Sequence, residues 1–330
     1  MPRPVYNLGM MKRGLILFAV VSVLASWILG AAAWALKDTL GQFSGLVMLP
    51  LIAIPFLMAY VAHRVTGATG NPFRGLVWGN TSWYFAAWLL GLLAGLLVIV
   101  VTFGLKLATF DLAMTDYIAM VISAAEKRGQ PMPSAATGAL SIGGWVTLAI
   151  APTLGPWFGA AMGSLSTLPW FGWFGRRLLV WGRSSTTLWL MLLFMLSSVA
   201  GGFVENPAMG EMPLWLRLVL MAVQGFALVP AMLWVFLRTR SAVITALAQA
   251  SYQAAFAAVM PIMSDANVLF APSAGLLVAL GALLAGIALW VWKDPGGKDL
   301  AVAGVAFDGT PLTPEQLAEV NGDSPQPAPA

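Results

Sequence analysis

The chain has 330 residues, 59% of them hydrophobic and 9% charged, with a formal net charge of +4. It has no cysteine, which excludes disulfides, thiolate catalysis and cysteine metal sites. Its basic residues are scattered over loop ends, so no nucleic-acid partner is expected, and no tract shows the alternating pattern of an outer-membrane barrel.

A basic segment, Met1–Arg13, leads into the first of eight long apolar stretches. These are Gly14–Leu36, Phe43–Ala62, Trp83–Leu105, Ala139–Met162, Thr186–Val204, Leu218–Leu237, Ala242–Met263 and Val268–Trp292. Most reach the roughly 20 residues a helix needs to cross the hydrocarbon core. Ala31–Ala35 offers small residues for signal-peptide cleavage. The run is long for a signal segment and a second stretch follows closely, which favours an uncleaved first helix. The one histidine, His63, directly follows the second stretch beside Arg64 and reads as an interfacial residue; a zinc site needs three or four ligands.

Gly91 and Gly95 lie four apart in the third stretch, as do Gly155, Gly159 and Gly163 around the end of the fourth. Such lines let a neighbouring helix approach closely. Between these stretches, Asp111–Val121 has the pattern of an amphipathic surface helix, ended by Gly129 and Pro131. After Met162 comes a polar, aromatic and basic run, Ser164 to Arg177. Its chemistry predicts a helix leaving the bilayer through the headgroup layer. Glu205–Pro213 is a short acidic loop. Asn80-Thr-Ser82 matches a glycosylation acceptor by chance, since it falls on the side expected to be cytoplasmic. The tail 293–330 is rich in Gly, Pro, Ala and acids. Thr313-Pro-Glu-Gln316 forms a capping box that predicts a short helix near 314–320, with Ser324–Ala330 disordered.

None of the eight stretches contains Asp, Glu, Lys, Arg or His. Ionisable residues inside a membrane usually mark a working site. Function is therefore expected from Ser, Thr, Asn, Gln, Trp, Tyr and backbone, or at the membrane surface, with no metal and no cofactor. If the N-terminus is inside and each stretch crosses, twelve of the 17 basic residues lie on the cytoplasmic side. They are Arg3, Lys12, Arg13, Arg64, Arg74, Arg176, Arg177, Arg183, Arg238, Arg240, Lys293 and Lys298. Lys37, Lys106, Lys127, Arg128 and Arg217 lie opposite. The positive-inside rule then gives a multi-pass protein of the cytoplasmic (inner) membrane with both termini cytoplasmic. The expected fold is all-α, a polytopic bundle of about eight transmembrane helices over residues 14–292, between a cytoplasmic start (1–13) and a cytoplasmic tail.

Three segments carry a recognisable frame. The fourth stretch leads into Pro169-Trp-Phe-Gly-Trp-Phe-Gly-Arg-Arg-Leu-Leu179. The fifth carries Phe194-Met-Leu-Ser-Ser198. The seventh follows Leu237-Arg-Thr-Arg-Ser241 and carries Gln249-Ala-Ser-Tyr-Gln253. From about Met11 to Trp292 this frame resembles the CPBP membrane endopeptidases: the type II CAAX prenyl proteases and their abortive-infection and bacteriocin-immunity homologues. The resemblance implies a CAAX-protease-like bundle in which Glu-Glu-x-x-x-Arg, Phe-x-x-x-His and His-x-x-x-Asn supply the machinery. Here the paired glutamates read Pro169 and Trp170, and the arginine reads Phe174. The first histidine reads Ser198, and the second histidine and asparagine read Gln249 and Gln253. Trp, Pro and Phe accept no proton, and Ser and Gln are no general bases near neutral pH.

The resemblance therefore points to a catalytically degenerate relative. Such a protein binds or scaffolds a hydrophobic peptide, a lipidated protein or a membrane-protein partner in the lipid bilayer. An active endopeptidase with a non-standard site and a facilitator of neutral or lipidic solute passage remain as alternatives. Ser197, Ser198, Gln249 and Gln253 are candidates for one neutral, hydrogen-bonded cavity, or for polar contacts between helices.

Overall fold

The computed structural model describes residues 8–36, 48–66, 71–73, 76–127, 136–179, 183–203, 212–267, 269–270 and 275–292. The tail with its capping box, and most of the Glu205–Pro213 loop, lie outside these residues. Among the described residues the chain is all-α apart from one two-residue strand pair. Helices form in each of the eight apolar stretches: α1 (Leu8–Ala35), α2 (Met48–Val65) and α3 (Ser82–Gly104) in the first three. Five helices are long and apolar enough to cross a membrane, or six if a bent pair counts as one span. Pro50–Val65 and Leu276–Trp292 are shorter apolar helices. On the last of these, Leu280, Leu284, Ile287 and Val291 form an exposed stripe at helical spacing. Stripes of this kind have no place in water, and the chain is a multi-pass membrane protein.

The loop after α3 forms β1 (Thr109–Phe110), and α4 (Thr115–Lys127) follows. The amphipathic helix thus starts four residues later than expected. Asp111 is not its first residue but its cap: the carboxylate accepts the backbone N–H groups of Ala113 and Thr115. Such capping satisfies donors that the first helical turn leaves free.

The fourth stretch departs from expectation. It is not one straight helix but two, α5 (Ala136–Thr153) and α6 (Gly155–Thr167), bent by 58°. Pro156 has no N–H, so it cannot bond the carbonyl of Pro152 four residues back. The indole of Trp88 on α3 donates to that carbonyl instead, at 2.9 Å. Gly155 sits at this break rather than in a packing line; a Cβ there would meet only its own chain, 3.9 Å from the Ile150 carbonyl.

Beyond α6 the chain enters a π-helical segment, Leu168–Gly175, and a final turn, Arg176–Leu178. All eight π-helical residues are buried. Whatever the depth of this segment in the bilayer, its tryptophans face protein, not lipid headgroups. Next come α7 (Arg183–Ser198), a 3-10 turn to Phe203, and α8 (Leu214–Thr239). A two-residue turn then reverses the chain. Arg240 adopts a left-handed conformation (φ 52°), and Ser241 caps α9 (Ala242–Val259) by accepting the Ile244 N–H. The same hydroxyl donates to the Val77 carbonyl at 2.8 Å, pinning the turn to the loop before α3. After α9, β2 (Met263–Ser264) pairs antiparallel with β1, with Thr109 opposite Ser264. The last helix is α10 (Leu276–Trp292).

The small residues of α9 make it the central post. On one side Gly91 and Gly95 of α3 meet it: a Cβ at Gly95 would lie 2.6 Å from Ala255 Cβ and 2.8 Å from the Tyr252 carbonyl. On the other side stands α6, where a Cβ at Gly159 would lie 2.8 Å from Ala250 Cβ and one at Gly163 would lie 3.4 Å from Ala246 Cβ. Both glycine lines therefore admit close backbone approach, with Gly155 excepted.

Candidate functional site

Three of the candidate positions, Pro169, Trp170 and Phe174, lie in the π-helical segment. Pro169 deprives the Leu165 carbonyl of its usual donor, a local cause for the change of helical pitch. The wider turn directs Trp170, Phe171, Trp173 and Phe174 into the bundle interior, where each is at most 2% exposed. Phe18 of α1 stands in their midst. Its ring centroid lies 5.0 Å from Trp170, 5.3 Å from Trp173 and 5.1 Å from Phe174. Trp170 also meets Phe194 of α7 edge-on at 6.0 Å. Pro169, Trp170 and Phe174 thus belong to a solid aromatic plug. Each well-placed aromatic pair contributes about 0.5–1.5 kcal/mol. Lipid tails are as apolar as the plug, so dispersion and ring geometry, rather than escape from water, hold it together.

Beside the plug lies a polar cluster that sequence reasoning missed. His63 is 1% exposed, so at the end of its helix it is packed within protein. Its Nδ1 accepts from the Trp173 indole at 3.4 Å, and Arg177 Nη2 lies 3.1 Å from the same atom. Arg177 Nη1 donates to the Trp173 carbonyl at 3.1 Å, and its guanidinium stacks 4.3 Å over the Trp173 ring. Guanidinium and indole nitrogens only donate, so Nδ1 must be the acceptor. The donors around it assign a neutral imidazole with its proton on Nε2. The sequence placed His63 and Arg177 at the same side of the membrane. Their 114-residue separation hid that α2 and the π-helical segment meet there.

A cavity of about 420 Å³ opens on another side of α9, bounded by α3, α8 and α10. Its wall is apolar apart from Gln249, Tyr252 and the Trp292 indole. The Tyr252 hydroxyl is already engaged, donating to the Val278 carbonyl at 2.5 Å. Gln249 alone of the four candidate network residues lines this cavity. Gln253, one turn further along α9, is exposed. Ser198 donates to the Phe194 carbonyl of its own helix at 2.7 Å and nests against Gly225 of α8; Ser197 is half-buried nearby. The reason they do not converge is α8, which stands between them. Ser198 packs on α8 at Gly225, while Leu228, Met232 and Val235, further along that helix, line the cavity.

Among the described residues no group of three His, Asp or Glu gathers that would suit a metal ion. The site that exists has two parts: a filled aromatic and cationic interior, and an open apolar crevice with one uncommitted amide. No family model, curated protein or solved structure matches this chain.

Proposed function

We propose that the chain is a CAAX-protease-like bundle of eight spans, seated in the cytoplasmic membrane with both termini inside, whose fold serves binding rather than proteolysis. Its ligand would be a hydrophobic peptide, a lipidated protein or a partner subunit. One observation carries this reading. Pro169, Trp170 and Phe174, which the resemblance reads in place of two carboxylates and a guanidinium, are all buried, Trp170 and Phe174 at most 2% exposed. Water activation needs a base within about 3 Å of the water and room for the substrate carbonyl. Neither is provided by a packed aromatic plug.

The test is turnover of prenylated and hydrophobic peptides by the purified full-length protein. No cleavage above background is expected. Cleavage that disappears in His63→Ala or Gln249→Ala overturns the reading. One observation favours the second reading, an endopeptidase with a non-standard site. The neutral imidazole of His63 lies within hydrogen-bond distance of the π-helical segment, and a cation stands beside it. In that case His63→Ala is the variant that loses turnover, with Gln249→Ala affected less.

A further inference from the structure

The crevice bears on which ligand is bound. Its lining includes Leu93, Leu97 and Trp292, which are 52%, 66% and 72% exposed on the lipid-facing surface. It therefore opens sideways between α3 and α10, a gap closed further along where Gly281 meets Val98. The volume of about 420 Å³ lies within the range of about 300–1,000 Å³ that holds a small-molecule ligand. A peptide backbone brings an N–H and a carbonyl at every residue, and each must be satisfied where water is absent. The crevice offers Gln249 and little else. A hydrocarbon chain makes no such demand.

One end of the crevice has different chemistry. Trp292 at its lip stacks on Trp234 of α8 at 6.4 Å, and Trp83 meets Trp234 edge-on at the same distance. One turn beyond, the Arg238 guanidinium lies 5.9 Å from the Trp234 ring centroid, and Arg240 follows on the exposed turn. Tryptophans favour the headgroup layer. Arginine recognises phosphate through paired, charge-assisted hydrogen bonds.

We infer that the crevice holds one acyl chain of an anionic phospholipid, with Arg238 and the Trp83–Trp234–Trp292 group at its headgroup. The inference rests on the binding reading above and goes beyond it, since the crevice fits an acyl chain rather than a peptide.

The experiment titrates the full-length protein, in detergent, with phosphatidylglycerol or phosphatidylcholine of identical acyl chains, and reads the first bound lipid by native mass spectrometry. Phosphatidylglycerol is expected to bind about tenfold more tightly, the scale of one charge-assisted contact. Arg238→Gln should bring that ratio close to one, while Arg13→Gln, an exposed charge on α1, leaves it unchanged. Ala285→Phe should fill the crevice and weaken both lipids. Ala288→Trp does so from the exposed rim, and decides the matter if the first variant does not fold. A ratio that survives Arg238→Gln, or lipid binding that survives Ala288→Trp, overturns the inference. Peptide turnover is measured on the same samples. Cleavage with lipid discrimination intact sinks the non-proteolytic reading alone; lost discrimination without cleavage sinks the lipid site alone.

Discussion

At the scale of single residues, the pair His63 and Arg177 shows how a charge is kept inside an apolar bundle. A buried guanidinium is costly unless its donors find acceptors. Arg177 gives one to the Trp173 carbonyl, places another at His63 Nδ1, and spreads its charge over an indole face. His63→Leu removes the imidazole acceptor, and a cost of about 1.5–3 kcal/mol is expected, the value of a hydrogen bond to a charged group. Arg177→Met removes the donor. The double variant should cost less than the two singles together by about 1 kcal/mol, read from unfolding in detergent. Strict additivity would mean that the contact contributes nothing.

Asp116 makes the opposite kind of contact, outside the spans. Its carboxylate accepts the Ser264 hydroxyl at 2.6 Å and the Asp265 N–H at 2.9 Å, which ties α4 to β2. The Ser264 bond is the main reason its pKa falls below the ordinary 3.8, with the Asp265 N–H adding to it. A depressed folded pKa means that the tie stabilises fully above about pH 3.8 and is lost as pH falls through the lower folded value. Carboxyl NMR should therefore find Asp116 titrating below 3.8. In Ser264→Ala the midpoint should move back up; an unmoved midpoint would refute the assigned cause.

At the scale of elements, glycine separates packing from propensity. Gly95 lies where α3 touches α9, and a Cβ there must displace Ala255 or the Tyr252 carbonyl. Gly95→Ala should destabilise by about 1–3 kcal/mol, as overpacked cores do. Gly143, inside α5, has nothing within 4 Å of a Cβ. Gly143→Ala should be neutral or gain up to about 1 kcal/mol from helix propensity. Equal effects at the two sites would show that α3 and α9 do not meet as described.

The long apolar helices were legible in the sequence because hydropathy is a local property, although only five or six of the eight stretches hold helices long enough to count as spans. The glycine lines were legible because their spacing is. The bend at Leu154 was not, although Pro152, Gly155 and Pro156 were in plain view. Whether a proline kinks a helix or a neighbour absorbs it depends on partners such as Trp88. The burial of the Trp-rich run after Met162 was hidden for a related reason. Tryptophan and arginine suit the headgroup layer in general, and only the arrival of Phe18, Phe194 and His63 turns the same residues inward. Likewise, the i, i+4 spacing of Gln249 and Gln253 was read correctly as helical. What it omitted was the breadth of the face and the presence of α8 between α9 and the serines of α7.

The whole molecule has two unlike ends. At one end Arg177 meets His63, the neighbour of Arg64, and Arg176 lies close enough to Arg240 for their charges to repel. At the other, Lys106, Asp111, Asp116 and Asp265 surround the β1–β2 pair. Arginine-rich ends are commonly retained on the cytoplasmic side, and the orientation proposed above puts the Arg176–Arg177 end there. Helix α3 joins the two ends directly, with Thr81 just before it and Leu112 just after, both exposed. The chain has no cysteine of its own, so a single introduced thiol reports without background. A membrane-impermeant maleimide should label Leu112→Cys in intact cells and Thr81→Cys only after permeabilisation. The reverse pattern would invert the orientation and place the Trp83–Trp234–Trp292 group in the outer leaflet. Labelling of both from one side would mean that α3 does not cross, and with it the multi-pass bundle built around α9 would fall.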